Sequence, residues 1–192
     1  MSGKEECMNT YRKGKAYEVT EIAMFVVILI ICSWISIPTV IPFTMQTFAI
    51  FLAICVLGGK KTSMVVFIYL LMGSIGLPVF SGFCGGAGCL VGNTGGFLVG
   101  FFIASLVIWG LEHIVGLNSW IRWIQMTVCI MICYFIGVVW YMAITQIPFY
   151  SETVMPIISV YVLPFVIPDG IKMILAYYLS KRIKIIIKNS YC

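Results

Sequence analysis

Long apolar runs separated by short polar breaks organise this chain. The runs fall at 20–37, 44–57, 62–77, 95–111, 120–145 and 159–180. Most approach the ~20 residues that a helix needs to cross about 30 Å of hydrocarbon. The second is shorter, reaching only about 20 Å at 1.5 Å per residue. Basic residues keep to certain breaks. Lys4, Arg12, Lys13 and Lys15 precede the first run, Lys60 and Lys61 follow the second, Arg122 opens the fifth, and Lys181, Arg182, Lys184 and Lys188 close the chain. The three remaining breaks carry no Lys or Arg, and Glu152 is their one formal charge. Under the positive-inside rule the basic breaks are cytoplasmic. An even number of spans then separates each cluster from the next, so each interval holds one helical hairpin with its loop outside. The predicted fold is an all-α polytopic membrane protein of six transmembrane helices in three hairpins, both termini cytoplasmic. Residues 1–19 form a cytoplasmic N-terminal segment, 20–188 the six-helix membrane domain and 189–192 a cytoplasmic tail.

Composition agrees. Of the 192 residues 61% are hydrophobic and 10% charged, and mean hydropathy is +1.07. Soluble chains run nearer 45–50% apolar and about 25% charged, and no polar stretch here is long enough for a separate soluble domain. The first run follows a basic segment, as a signal peptide does. It lacks a small-residue cleavage site and more spans follow, so it reads as a retained helix. The formal charge of +5 is distributed as loop charge, which argues against a nucleic-acid surface and for a lipid bilayer as the chain's surroundings.

Eight cysteines raise disulfide and metal readings. Cys32, Cys55, Cys129 and Cys133 lie in apolar runs, where cysteine behaves as a small hydrophobe. Cys129 and Cys133 would share a helix face, but a metal site needs further ligands and no CxxC pair exists, so no metal is expected. Cys84 and Cys89 share the long second outer loop, where inert thiols and a disulfide are both open readings. Gly58-Gly59-Lys60-Lys61-Thr62 lacks the upstream glycine and the residue order of a Walker A loop, and reads as a cytoplasmic turn. His113, the sole histidine, has no second histidine and no GxSxG or HExxH beside it, so no catalytic residue is assigned and enzyme chemistry is not expected.

The outer connections differ in kind. Pro38 and Pro42 make the first a stiff, non-helical corner, either a plain turn or a lid over a pocket, with Thr44 placed to cap the next helix. The second, from Ser81 to Gly96, is dense in glycine, which lets backbone approach a ligand closely and leaves amides free to donate. It is not a GxGxxG fingerprint, since that spacing is absent and no strand precedes it.

The last run holds the costly residues. Asp169 is the chain's sole aspartate, and Lys172 is its one basic residue away from a polar connection. Three apart on a helix, they share a face. Each costs about 2.5–3.5 kcal/mol or more at mid-membrane, against a few tenths from pairing on an exposed helix. Lys172 lies roughly 13–14 Å of helix from Lys181, near mid-bilayer. Pro164 and Pro168 predict a broken or re-entrant outer half, with Pro168 starting a fresh helix and Asp169 at its positive end. Interrupted helices with polar groups at that depth are where transporters bind substrates. A private, self-neutralising ion pair is the alternative.

Several stretches in chain order resemble the BioY family. Ile37-Pro38 and Ile41-Pro42-Phe43-Thr44-Met45-Gln46-Thr47 are similar to its IP…PVPxTLQT segment. So are Leu57-Gly58, the run from Tyr69 to Phe80, and Thr94-Gly95-Gly96-Phe97-Leu98-Val99-Gly100-Phe101, while Asp169-Gly170-Ile171-Lys172 looks like its DxxK. Asn93 stands where the family commonly has proline. The resemblance implies a biotin-binding S component of an energy-coupling-factor importer: six helices, biotin as transported ligand rather than cofactor, a transmembrane coupling subunit and two ATP-binding subunits as partners, and a bacterial plasma membrane as location. Asp169 would accept a ureido N–H and Lys172 would donate to a ligand oxygen, ureido carbonyl or carboxylate. Asn93 and the loop amides of Gly85, Gly86 and Gly95 would take the other end. The first helix of S components often carries small residues four apart that face the coupling subunit; here Ala23 is followed by the larger Val27, a weaker version of that close packing. An S component for another small vitamin, or a stand-alone carrier, is the alternative.

Overall fold

The structure, a computed structural model, describes residues 15–37, 43–115, 119–146, 150, 156–157, 159 and 162–190. Among them six helices of twelve residues or more follow one another: α1 (Lys15–Trp34), α2 (Gln46–Leu57), α3 (Gly59–Ser74), α5 (Gly95–Val115), α6 (Ser119–Thr145) and α7 (Leu163–Ser190), with a short α4 (Ala87–Val91) between α3 and α5. Two antiparallel two-residue strands, β1 (Ser36–Ile37) and β2 (Phe43–Thr44), join α1 to α2, pairing Ser36 with Thr44 and Ile37 with Phe43. The expected prolines 38 and 42, the outer-loop Glu152 and the basic residues 4, 12 and 13 lie outside the described residues.

The short second run is the centre of the fold. From Ala49 to Cys55 every side chain is buried, because α1, α3, α6 and α7 all pack against α2. A helix apolar all round belongs in a core. Surrounded by protein rather than lipid, it need not match the bilayer in length. Arg122 of α6 donates to the carbonyls of Ile54 and Cys55, capping its C-terminus. Gly58, at φ +82°, turns the chain directly from α2 into α3. Gly59 follows where any Cβ would stand 2.5 Å from the Trp109 backbone, and its amide donates to Glu112 at 2.7 Å. Here α2, α3, α5 and α6 meet at one end of the molecule.

The opposite end gathers the other termini. The Trp34 indole of α1 donates to the Pro78 carbonyl at 2.9 Å, the Trp140 indole of α6 donates to that of Gly92 at 3.1 Å, and the Phe43 and Phe165 rings stack with centroids 5.8 Å apart. The long helices therefore alternate in direction. α1, α5 and α6 are long and apolar enough to cross a membrane, at mean hydropathies of 2.0–2.2 over 16–34, 95–115 and 120–145. Outward-facing Phe135 and Ile171 are exposed, as lipid-facing side chains are in a bundle whose solvent is hydrocarbon.

Two expectations need correcting. α7 runs unbroken through Pro168. That proline lies five residues after the start of α7, so its missing N–H deprives only the carbonyl of Pro164, in the first turn, of a partner. The helix also continues past Lys181 to Ser190. Thr44 belongs to β2, and the N-cap residue preceding α2 is Met45; Thr44 still helps, its hydroxyl accepting from the Gln46 amide at 3.3 Å.

Candidate functional site

At the end where the strands lie, a cavity of about 610 Å³, its open mouth included, is lined from five parts of the chain. β2 and α2 contribute Thr44, Gln46 and Thr47; the glycine-rich connection contributes Ser81 and Thr94; α5 adds Phe97, Leu98 and Phe101; α6 adds Ile130, Cys133 and Tyr134; and α7 adds Phe165, Asp169 and Lys172.

Asp169 and Lys172 sit one turn apart on α7 and are 4% and 5% exposed. Their charged atoms are 2.8 Å apart. Lys172 Nζ also donates to the Thr44 carbonyl at 2.7 Å and to Thr47 Oγ1 at 3.0 Å, and stands 3.9 Å from the centre of the Phe43 ring. Thr47 in turn donates to Asp169 Oδ1 at 2.8 Å, and the Tyr134 hydroxyl donates to Asp169 Oδ2 at 2.6 Å. Four elements thus converge on one carboxylate and one ammonium. A buried ion pair is tolerable only when its remaining donors and acceptors are satisfied, and this one is knotted into hydrogen bonds with uncharged partners.

The connection over the cavity is fastened on all sides. Ser33 donates to the Val79 carbonyl, the Gly86 amide donates to that of Gly73 at 2.7 Å, and Cys84 and Cys89 form a disulfide. The reading of these two as inert thiols therefore gives way. The other four cysteines described, Cys32, Cys55, Cys129 and Cys133, are free and buried.

Of the residues expected at the site, Asp169 and Lys172 come together on the cavity wall. Asn93, Gly85, Gly86 and Gly95 do not line it. Asn93 is exposed. Gly85 lies where a Cβ would stand 2.4 Å from the Leu77 carbonyl oxygen, Gly86 adopts φ +96°, and the Gly95 amide donates to the Gly92 carbonyl at 3.0 Å. These glycines shape the connection, and its neighbouring hydroxyls, Ser81 and Thr94, reach the cavity. Missed from the sequence were Thr47, Gln46 and Tyr134. The first two lie in the segment quoted for its resemblance, so that polar cluster opening an apolar helix was the available signal. Tyr134 carries a hydroxyl into the middle of an apolar run, a weaker one.

Comparison with known proteins finds relatives along nearly the whole chain. The model of the BioY family matches residues 6–189. The biotin transporter BioY of Thermotoga maritima is 35% identical over 87% of this chain and 95% of its own length. The probable biotin transporter BioY of Pyrococcus horikoshii is 32% identical over 88% and 98%. Among solved structures, the S-component for biotin from an ECF-type ABC transporter superposes with a TM-score of 0.74 at 25% identity, covering 88% of this chain and 92% of that one. Matched along nearly its whole length by family model, by relatives and by fold, the chain belongs to the BioY family.

Proposed function

We propose that the chain is the biotin-binding, substrate-specificity subunit of an ATP-driven vitamin importer, with six membrane crossings and both termini in the cytoplasm of a bacterial cell. The observation that carries the reading is the buried Asp169–Lys172 pair, bridged by Thr47 and held by Tyr134, at the wall of a cavity that combines aromatic and aliphatic side chains with the uncharged polar groups of Thr44, Gln46, Ser81 and Thr94. Biotin offers complementary chemistry: a ureido ring with two N–H donors and a carbonyl, a thioether ring, and an aliphatic tail ending in a carboxylate. Asp169 accepts a ureido N–H, Lys172 donates a hydrogen bond to a ligand oxygen, and Phe97, Phe101 and Phe165 cover the apolar ring and tail. Ser81 and Thr94 face the other end, the place first expected of Asn93, Gly85, Gly86 and Gly95. The relatives described as biotin transporters support the choice of ligand.

The chain carries no nucleotide motif, so hydrolysis of ATP falls to two ATP-binding subunits joined through a transmembrane coupling subunit. The exposed α1 face around Ala23 and Val27 is the docking surface we assign to that coupling subunit. Mass spectrometry of small molecules that co-purify with the solubilised chain tests the ligand, and biotin is the expected species. Uptake by the chain alone, compared with uptake alongside the coupling and ATP-binding subunits, tests the energy source. Recovery of a different vitamin, or full ATP-independent uptake by the chain alone, would contradict the proposal.

A further inference from the structure

The hydrogen bonds already made around Asp169 and Lys172 limit what else the pocket can hold. An ammonium has three protons, and those of Lys172 meet three acceptors: Asp169 Oδ1, Thr47 Oγ1 and the Thr44 carbonyl. On the acidic side Oδ1 accepts from both Lys172 and Thr47, whereas Oδ2 accepts only from Tyr134. One acceptor position on Oδ2 is open, beside the lone pairs of the Tyr134 oxygen. Gln46 Nε2 donates one proton to the Tyr69 hydroxyl and keeps a second. The pocket's spare capacity at its charged end is thus two adjacent acceptors and a neutral donor, the complement of a urea group rather than of an anion.

Charge points the same way. Among the described residues Asp169 and Lys172 are the only charged ones lining the cavity, and they cancel; the three outer connections carry no Lys or Arg. A carboxylate brought to this end would add an uncompensated negative charge next to Asp169 in a buried site. Drawing Lys172 away to meet it would leave Asp169 buried and unpaired instead. Either arrangement carries the desolvation penalty of a lone buried ion. A urea carbonyl taking one Lys172 proton in exchange for the Thr44 carbonyl changes no charge. Ser81 and Thr94, which come to the cavity from the glycine-rich connection, are partly exposed, so a tail reaching them keeps its terminal group near water.

We infer that the pocket reads only the neutral bicyclic end of biotin and leaves the tail carboxylate unread, so that the chain binds neutral esters and amides of biotin as well as the free acid. The inference rests on the proposed function and narrows it to a substrate class defined by the urea-bearing ring.

Displacement of radiolabelled biotin from the purified full-length chain tests it, with biotin methyl ester and biotin methylated on a ureido nitrogen as competitors. The methyl ester is expected to compete within about tenfold of biotin, and the N-methylated compound to lose at least about a hundredfold. A methyl ester weakened by more than about tenfold overturns the inference while leaving biotin binding intact. An N-methylated compound that competes like biotin also overturns it, because the ring end would then go unread. Failure of labelled biotin itself to bind is the separate result that removes the proposed function, and this inference with it.

Discussion

Tyr134 and Thr47 hold the Asp169 carboxylate in place with one hydrogen bond each, and their effect on ligand binding follows from that geometry. Tyr134→Phe keeps the ring and removes the donor to Oδ2. With a hydrogen bond to a charged group worth about 1.5–3 kcal/mol, biotin affinity should fall roughly tenfold to a hundredfold, read by equilibrium binding. An unchanged affinity would mean that Oδ2 does not face the ligand. Stability should respond differently from affinity. Lys172→Met strands a buried carboxylate and should destabilise the chain by about 3–5 kcal/mol, while the double variant with Asp169→Asn should recover much of that loss. Thermal unfolding of the purified variants checks this, and the double variant should be the more stable of the two although neither binds biotin well. Asp169 and Lys172 were legible in the sequence because charge inside an apolar run has no cheap explanation. Tyr134 was not, since a tyrosine in such a run is equally at home as an interfacial or core residue.

Between α3 and α5 the glycine-rich connection bears Ser81 and Thr94 to the cavity while tied to α1 by Ser33 and Trp34, to α3 by Gly73 and to α6 by Trp140. The Cys84–Cys89 disulfide is one restraint among these. Its removal in a Cys84→Ser/Cys89→Ser double variant should therefore lower biotin affinity by less than about tenfold, well short of the 2–4 kcal/mol that such a crosslink commonly contributes to folding. Isothermal titration of biotin into that variant checks it, and complete loss of binding would make the disulfide the principal fastening of the connection. Glycine density had marked this stretch as backbone near a ligand, but the glycines serve close packing and the adjoining hydroxyls reach the cavity. Composition locates such a segment, whereas which atoms face inward depends on its path over α1, α3 and α6. The two prolines of α7 misled for a related reason. Their local preference for a break was overridden: α7 gives up the one hydrogen bond from Pro168 to the Pro164 carbonyl and continues as a helix.

Across the whole molecule the pattern of apolar runs anticipated a helical chain with helices long and apolar enough to cross a membrane, since run length follows bilayer thickness. It did not anticipate that the shortest apolar run would be the central helix, a fact of packing that hydropathy cannot register. With α2 at the centre, Thr47 near its start meets α7 and the site becomes a junction between elements far apart in sequence. The central claim is that this junction, through Asp169 and Lys172, binds biotin. Its most direct test is isothermal titration of biotin into the purified wild-type chain and into the Asp169→Asn and Lys172→Met variants. The account predicts tight one-site binding by the wild type and a loss of at least about a hundredfold, or ~2.7 kcal/mol, in each variant. Wild-type affinity in both variants would contradict it.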